Sequence, residues 1–326
     1  MSADLPLVVV LGASGFIGSP VTRALAKRPI RLRLVARRPT PVPEGGVADI
    51  EVRTADLTEE GALADLVEGA DAVFHLVAYT DGGWRVADGD TMAERINVGL
   101  ARELVEAIRS RPSPGKPPVV LYAGTKTQVG HPPGDRIDGT EPDNPVSPYG
   151  RQKLAAETAL KEATAEGVLR AVSLRLPTVY GHGPESTATD RGVAATMMRR
   201  AMAGDRLTMW SDGSVRRDLV YIDDVVDAFL TALDHADELA GRHWLVGGGA
   251  SVPLGELFTE IAALVAERTG RPPVPVVSVP PPDNADPTDM SNQEMDSTAF
   301  RNITGWRPKT LLRDGLARTA TELVGA

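Results

Sequence analysis

The stretch Val8–Val21, VVVLGASGFIGSPV, sets an apolar run against three glycines, Gly12, Gly15 and Gly18, and then resumes apolar residues at helical spacing. Residues that bury almost nothing interrupt the first core segment. A strand leading in and a helix leading out explain them, because glycine lets backbone pass close to a ligand without a Cβ in the way. The start of the helix then offers free N–H groups and a partial positive charge to a pyrophosphate. The spacing is G-x-x-G-x-x-G rather than the commoner G-x-G-x-x-G. Tight strand-to-helix turns use glycine anyway, so what points to a dinucleotide is the position of this triplet, at the first junction of an alternating pattern. Gly12, Ser14, Gly15, Phe16, Ile17 and Gly18 are the expected contacts.

Outward from that stretch, β-branched runs alternate with longer amphipathic ones. Strands are expected at 7–11, 31–36, 50–53, 72–78, 119–122 and 169–174, and helices at 16–27, 59–67, 91–108 and 149–165. In the third helix Met92, Ile96, Leu100, Leu104 and Ile108 recur every four residues, one stripe of a helix. Such alternation implies an α/β fold with a doubly wound parallel sheet covered on both faces. After Leu174 the rhythm changes. A Gly/Pro-rich loop at 177–189 precedes a helix near 193–203, then LTMW, then RRDLVYIDDVVDAFL, where a strand enters a helix with Asp223 or Asp224 as a candidate cap. Further helices are expected near 254–269 and from about 311, with a mobile Asp- and Pro-dense loop at 281–295. The expected division is a Rossmann-type domain over 1–176, joined again by 217–247, and a smaller, partly interleaved substrate lobe over 177–326.

Composition narrows the function classes. The 326 residues are 42% hydrophobic and 24% charged, an ordinary globular balance, and the net charge of −9 disfavours nonspecific nucleic-acid binding. No cysteine is present, which excludes disulfides, thiol nucleophiles and Cys-ligated metals. The opening apolar run is too short for a membrane span and lacks a basic leader, so a cytoplasmic protein is expected. No metal site is expected.

The end of the second strand should meet the adenosine ribose, where binders of NAD usually place an acid. Here LRLVARRP puts Arg37 and Arg38, which can pair with a 2′-phosphate, so NADPH is the expected cofactor. A solvated basic pair at a strand end is the alternative. Asp56 and Leu57 in TADLT are placed by the adenine. VFHLVA ends the fourth strand with the small residues Val77 and Ala78, which would let a cofactor cross the sheet edge; Leu76 is counted with them as a cofactor contact, and His75 is read as packed.

SPYGRQK supplies Tyr149 and Lys153 four residues apart, on one face if the tyrosine begins a helix. An ammonium beside a phenol lowers the phenol pKa and fits it for acid–base work. LYAGTKTQVG ends the fifth strand and offers Thr125, whose hydroxyl can share a substrate oxygen with Tyr149.

In GASGFIG, HLVA, NVG, GTKTQVG, YGRQK, RLPTVYG, RRDLVYIDDV and the terminal STAFRNITGWRP, the chain resembles the extended short-chain dehydrogenases/reductases over essentially its full length. That superfamily includes nucleotide-sugar epimerases, dehydratases and reductases. The resemblance implies that Thr125, Tyr149 and Lys153 are catalytic, that Pro177 and Thr178 sit by the nicotinamide, and that Asn97 shapes the helix beside the site. TMWSDGSVRRDLVYIDDV and RLPTVYGHGP look closest to 4-ketoreductases that finish dTDP-deoxyhexoses for antibiotic glycosylation. For such a dTDP-keto-deoxysugar, Arg217 would clamp the diphosphate, assisted by Arg191 and Arg216, and Met209 and Trp210 would pack on the thymine, with a core role open for Met209. Related 4,6-dehydratases follow their threonine with Asp-Glu, whereas Lys126 and Thr127 stand here, which disfavours elimination. The family's late substrate-binding arginine has no clear counterpart in NADPTDMSNQEMD. The expected reaction is therefore NADPH-dependent reduction at C4. The alternatives are an epimerase with tightly held NAD and, from another class, a non-catalytic NADP(H)-binding regulatory protein. The family also implies a homodimer through the helices near 91–108 and 149–165.

Overall fold

The computed structural model describes residues 5–38, 40–79, 86–111, 115–132, 134–181, 192–281, 287–292 and 294–325. The strands are β1 (Leu7–Leu11), β2 (Arg31–Ala36), β3 (Asp49–Thr54), β4 (Ala72–His75), β5 (Val119–Thr125), β6 (Arg136–Ile137), β7 (Arg170–Leu176), β8 (Thr178–Tyr180), β9 (Leu207–Trp210), β10 (Arg216–Tyr221), β11 (Arg242–Leu245), β12 (Ser251–Pro253), β13 (Val276–Val279) and β14 (Glu294–Met295). The α-helices are α1 (Gly18–Leu25), α2 (Ala62–Leu66), α3 (Thr91–Glu94), α4 (Leu100–Ser110), α5 (Pro148–Ala165), α6 (Val193–Ala203), α7 (Ile222–Asp234), α8 (Ala236–Leu239), α9 (Leu254–Thr269), α10 (Thr298–Thr304) and α11 (Leu312–Gly325).

Seven strands form one parallel sheet in the order β11-β7-β5-β4-β1-β2-β3. The chain winds outward through β2 and β3, then returns to the other side of β1 as β4. The crevice at the C-terminal ends of β1 and β4 is therefore the switch point where ligands bind in such sheets. The strand residues alternate between two cores. Val8, Val10, Leu32, Leu34, Phe74 and Leu121 pack under α1 and α7, and Val9, Leu11, Val73, Val120 and Tyr122 pack under α2, α4 and α5. A third core joins α6, α9 and α11 to Tyr180 and Tyr221 and forms the smaller lobe. Phe16 and Ile17, just after the glycine turn, touch that third core and so connect the two lobes.

Several boundaries differ from the sequence reading for identifiable reasons. The helix expected over 91–108 is broken by a π-helical turn, Arg95–Gly99, which adds a residue per turn and rotates the stripe. Leu100, Leu104 and Ile108 are buried, whereas Met92 is swung out to 47% exposure. The helix expected over 59–67 shrinks to α2, because Gly61 adopts φ +79° just before it. Neither Asp223 nor Asp224 caps α7, whose cap position is Tyr221. Asp224 instead accepts hydrogen bonds from the Lys309 and Thr310 amides at 2.9 and 3.1 Å and anchors the C-terminal segment. Of 217–247, β10 lies in a three-stranded sheet with β8 and β12, while α7 and β11 pack on or join the large sheet. Within the expected loop 281–295, Pro287–Met290 forms a 3-10 turn and β14 pairs with β6; residues 282–286 and 293 lie outside the described residues. Among the described residues, no helix is long and apolar enough to cross a membrane.

Candidate functional site

The glycine turn is built by close approach. Gly12 has φ +88°, and a Cβ there would stand 3.2 Å from the Leu76 carbonyl group at the switch point. A Cβ on Gly18 would stand 1.9 Å from the Gly12 carbonyl oxygen, so only glycine lets α1 start this close to β1. The cap position of α1, Ile17, bonds no amide through its side chain, and the first turn carries no acid. The helix thus presents its N-terminal amides and partial positive charge toward the switch point, which fits a pyrophosphate. Leu76, Val77 and Ala78, expected at the end of a longer β4, lie half-buried just beyond it.

Arg37 and Arg38 are exposed immediately after β2. Asp56 is turned onto its own loop, where Oδ1 accepts from the Thr58 amide at 2.9 Å and from the Thr58 hydroxyl at 2.7 Å. Those bonds, with Arg37 in electrostatic range, hold its carboxyl below the usual value. Leu57 beside it is buried. Two exposed arginines thus stand beside an acid that is already engaged by threonine.

Thr125 is the last residue of β5, and Tyr149 and Lys153 lie on the first turns of α5, which packs on that strand. Ser147 caps α5 by accepting from the Gly150 amide at 3.1 Å, and Pro148 occupies the first turn. The first turn sits hard against the turn after Thr125: a Cβ on Gly150 would stand 2.6 Å from the Thr127 carbonyl. Thr125 Oγ1 accepts from the Thr127 amide at 3.4 Å and the Thr127 hydroxyl at 3.3 Å, which leaves its own O–H to donate elsewhere.

Tyr149 and Lys153 are both buried. Burial raises the Tyr149 phenol above its ordinary value. Lys153 is pushed down to about 7 by burial, with Glu157 opposing. The expectation that the ammonium draws the phenol pKa down is therefore reversed: desolvation dominates both groups, and Tyr149 is a neutral phenol. The Lys153 ammonium lies 4.1 Å from the centre of the Tyr122 ring. His75, stacked edge-on against Tyr122, is buried and kept neutral, its pKa lowered to about 3 by burial and then by Lys153, in keeping with a packed role.

Asn97 stands in the π-turn and is buried. Its Oδ1 accepts from the Tyr79 amide at 2.9 Å and its Nδ2 donates to Gln152 at 2.8 Å. It ties the segment after β4 to α5. Pro177 is half-buried between β7 and β8.

On the smaller lobe, Arg217 is 9% exposed and donates to the carbonyls of Arg216 and Ser291 at 3.0 Å each and to that of Asp289. The Arg216 guanidinium is tied to Ser251, through Oγ at 3.0 Å and the carbonyl oxygen. Met209 packs on the smaller lobe's core, whereas half-buried Trp210 ends β9. Arg191 lies outside the described residues, as do 80–85 and 182–190.

Sequence reasoning passed over a polar cluster behind Thr125: buried Gln128, Glu157, Ser173 and Arg175, with the partly exposed Asp143 and His243 at its edge. One signal was available. Tyr149, Lys153, Glu157 and Lys161 recur every four residues, a polar ridge along one face of the helix whose first three members are buried.

A family model described as the NAD dependent epimerase/dehydratase family matches residues 8–247. The chain is 30% identical to dTDP-6-deoxy-L-talose 4-dehydrogenase (NAD(P)(+)) of Kitasatospora kifunensis, over 95% of this chain and 93% of that one. It is 32% identical to UDP-glucose 4-epimerase of Mycolicibacterium smegmatis, over 82% and 80%. Among solved structures, MoeE5 in complex with UDP-glucose and NAD superposes with TM-score 0.79 at 26% identity, covering 98% of this chain and 99% of that one. The glycine turn at the switch point and the helix that follows it thus have a shared origin: the chain belongs to the NAD dependent epimerase/dehydratase family.

Proposed function

We propose that the protein is an NADPH-dependent reductase of the C4 ketone of a dTDP-4-keto-6-deoxyhexose, a cytoplasmic enzyme of deoxysugar biosynthesis. The observation that carries this reading is a buried, neutral Tyr149 on the helix turn packed against the end of β5, where Thr125 retains an O–H to donate. A neutral phenol is a proton donor, as the reductive direction requires. When bound, a reduced nicotinamide supplies the hydride to the carbonyl carbon.

This chain's residues handle the oxygen. Tyr149 donates its proton to the developing C4 alkoxide, and Thr125 hydrogen-bonds the same oxygen. The Lys153 ammonium stabilises the phenolate left behind. Gly12, Gly15 and Gly18 admit the pyrophosphate, Arg37 and Arg38 pair with the 2′-phosphate, and Arg217 receives the diphosphate of the sugar nucleotide. The active form is a homodimer through α4 and α5, whose outer groove is lined by Arg102, Leu154, Ala155, Thr158, Ala159 and Glu162.

A nucleotide-sugar epimerase that uses the same three groups with retained NAD is the second reading, favoured by the likeness to the Mycolicibacterium smegmatis UDP-glucose 4-epimerase. One experiment separates them: purified protein is given NADPH or NADH with a panel of dTDP-4-ketohexoses, and the product's C4 configuration is read by NMR. Stoichiometric NADPH oxidation is expected, lowered about 10²–10⁴-fold in Tyr149→Phe. Copurifying NAD, with inversion of a dTDP- or UDP-hexose in the absence of added reductant, would overturn the reductase reading.

A further inference from the structure

Thr125 is fastened from behind. Its amide donates to Gln128 Oε1 at 2.8 Å, and the Gln128 NH2 donates to Glu157 Oε2 at 2.8 Å. Gln128 is fully buried and Glu157 is 1% exposed, so no solvent shares these bonds. Glu157 is one helical turn beyond Lys153 and two beyond Tyr149. It also accepts from Ser173 Oγ at 2.6 Å, Arg175 Nη2 at 2.7 Å and Nε at 3.1 Å, and Lys161 Nζ at 2.6 Å, with His243 Nδ1 at 3.4 Å. Arg175 in turn grips Asp143 with both terminal nitrogens, at 2.6 and 2.7 Å. The carboxylate at the centre is thus fixed from β7, β11 and its own helix.

The linking residue has to do two opposite things. It must accept from the Thr125 N–H and donate to a carboxylate, and among uncharged side chains of this length only the glutamine amide does both. Methionine fills the volume and does neither, asparagine is a methylene short, and glutamate sets like charges together.

We propose that Gln128 is a positioning residue: it clamps the Thr125 peptide to Glu157 and thereby fixes the Thr125 hydroxyl relative to the helix that carries Tyr149 and Lys153. This rests on the role proposed above for Thr125. Gln128 does not touch substrate. It acts by keeping the end of β5 and α5 in one geometry when the carbonyl oxygen has to meet two donors at once.

The test is a double-mutant cycle on the full chain with NADPH and dTDP-4-keto-6-deoxy-D-glucose. Gln128→Met is expected to lower kcat about 10–100-fold, to leave the KM of the sugar nucleotide and the Kd of NADPH within about threefold, and to have far less effect in a Thr125→Ala background. Gln128→Asn, which stays polar, is expected to lose about tenfold in kcat and serves if the methionine variant does not fold. A loss equally large with and without Thr125 would show a merely structural glutamine and overturn the proposal, as would unchanged kcat in either variant. If Thr125→Ala alone turns over at the wild-type rate, the role proposed for Thr125 fails and the positioning role falls with it. A normal Thr125 effect with an additive Gln128 effect sinks only the latter.

Discussion

Arg175 and Arg217 are both buried cations near the ends of strands, and their surroundings differ in one respect. Arg175 has no exposed surface and bonds two carboxylates, Asp143 and Glu157. Burial works against its charge, but those carboxylates outweigh it and raise the guanidinium pKa. Arg217 is nearly as buried, yet the bonds it makes among the described residues go to backbone carbonyls. Burial lowers its pKa, with only partial opposition from Asp289. Carbonyls satisfy N–H groups without cancelling charge. Arg175 is therefore part of the scaffold, while the Arg217 charge is not matched by a carboxylate bond among the described residues, the feature on which the proposed diphosphate site rests.

The largest expected effect breaks the first half of the pair. Arg175→Met leaves Glu157 and Asp143 facing each other without their shared cation, and removing one partner of a buried pair typically costs about 3–5 kcal/mol. A urea midpoint shifted by that amount is expected. Arg217→Met should shift it by no more than about 1 kcal/mol, since its carbonyl partners carry no net charge. Equal losses in the two variants would erase the distinction.

Ligand binding sharpens the second half. Arg217→Met is expected to weaken dTDP binding about 10–100-fold by calorimetry, in line with loss of a charge-assisted contact to phosphate. Binding that survives intact would move the diphosphate away from β10.

How much of this was legible in the sequence follows from the range of the forces involved. The glycine turn, the alternation of strands and helices, and the Tyr149–Lys153 pair are local patterns, and each is found where local chemistry puts it. The π-turn at Asn97 was hidden, because an extra residue in a helix leaves no mark in an apolar stripe except that Met92 no longer fits it. Asp224 reads as a helix cap from its neighbours but is spent on amides 85 and 86 residues away. Beyond Lys161 on its own helix, the partners of Glu157 come from β7, β11 and the turn after β5, so no window of sequence contains them all. Burial likewise set the Tyr149 and Lys153 protonation, against what their four-residue spacing alone implies.

Lys153 extends the comparison to a third buried cation, one whose ammonium faces the Tyr122 ring and His75, with the Glu157 carboxylate a full turn away. Its pKa falls from 10.5 to about 7 on folding, so between those values the unfolded chain binds a proton that the native protein has released. Stability contributed by this group therefore rises with pH from about 7 to about 10.5, the opposite of a salt-bridged lysine. Between pH 7 and pH 8 the gain is about 1 kcal/mol. Urea midpoints of the cofactor-free protein at those two pH values, compared with Lys153→Met, isolate it because other titrating groups cancel in the difference. The wild type should gain and the variant should not. A variant that keeps the same slope would mean that Glu157 holds Lys153 charged as firmly as it holds Arg175, and the contrast between neutralised and uncompensated cations would then rest on Arg217 alone.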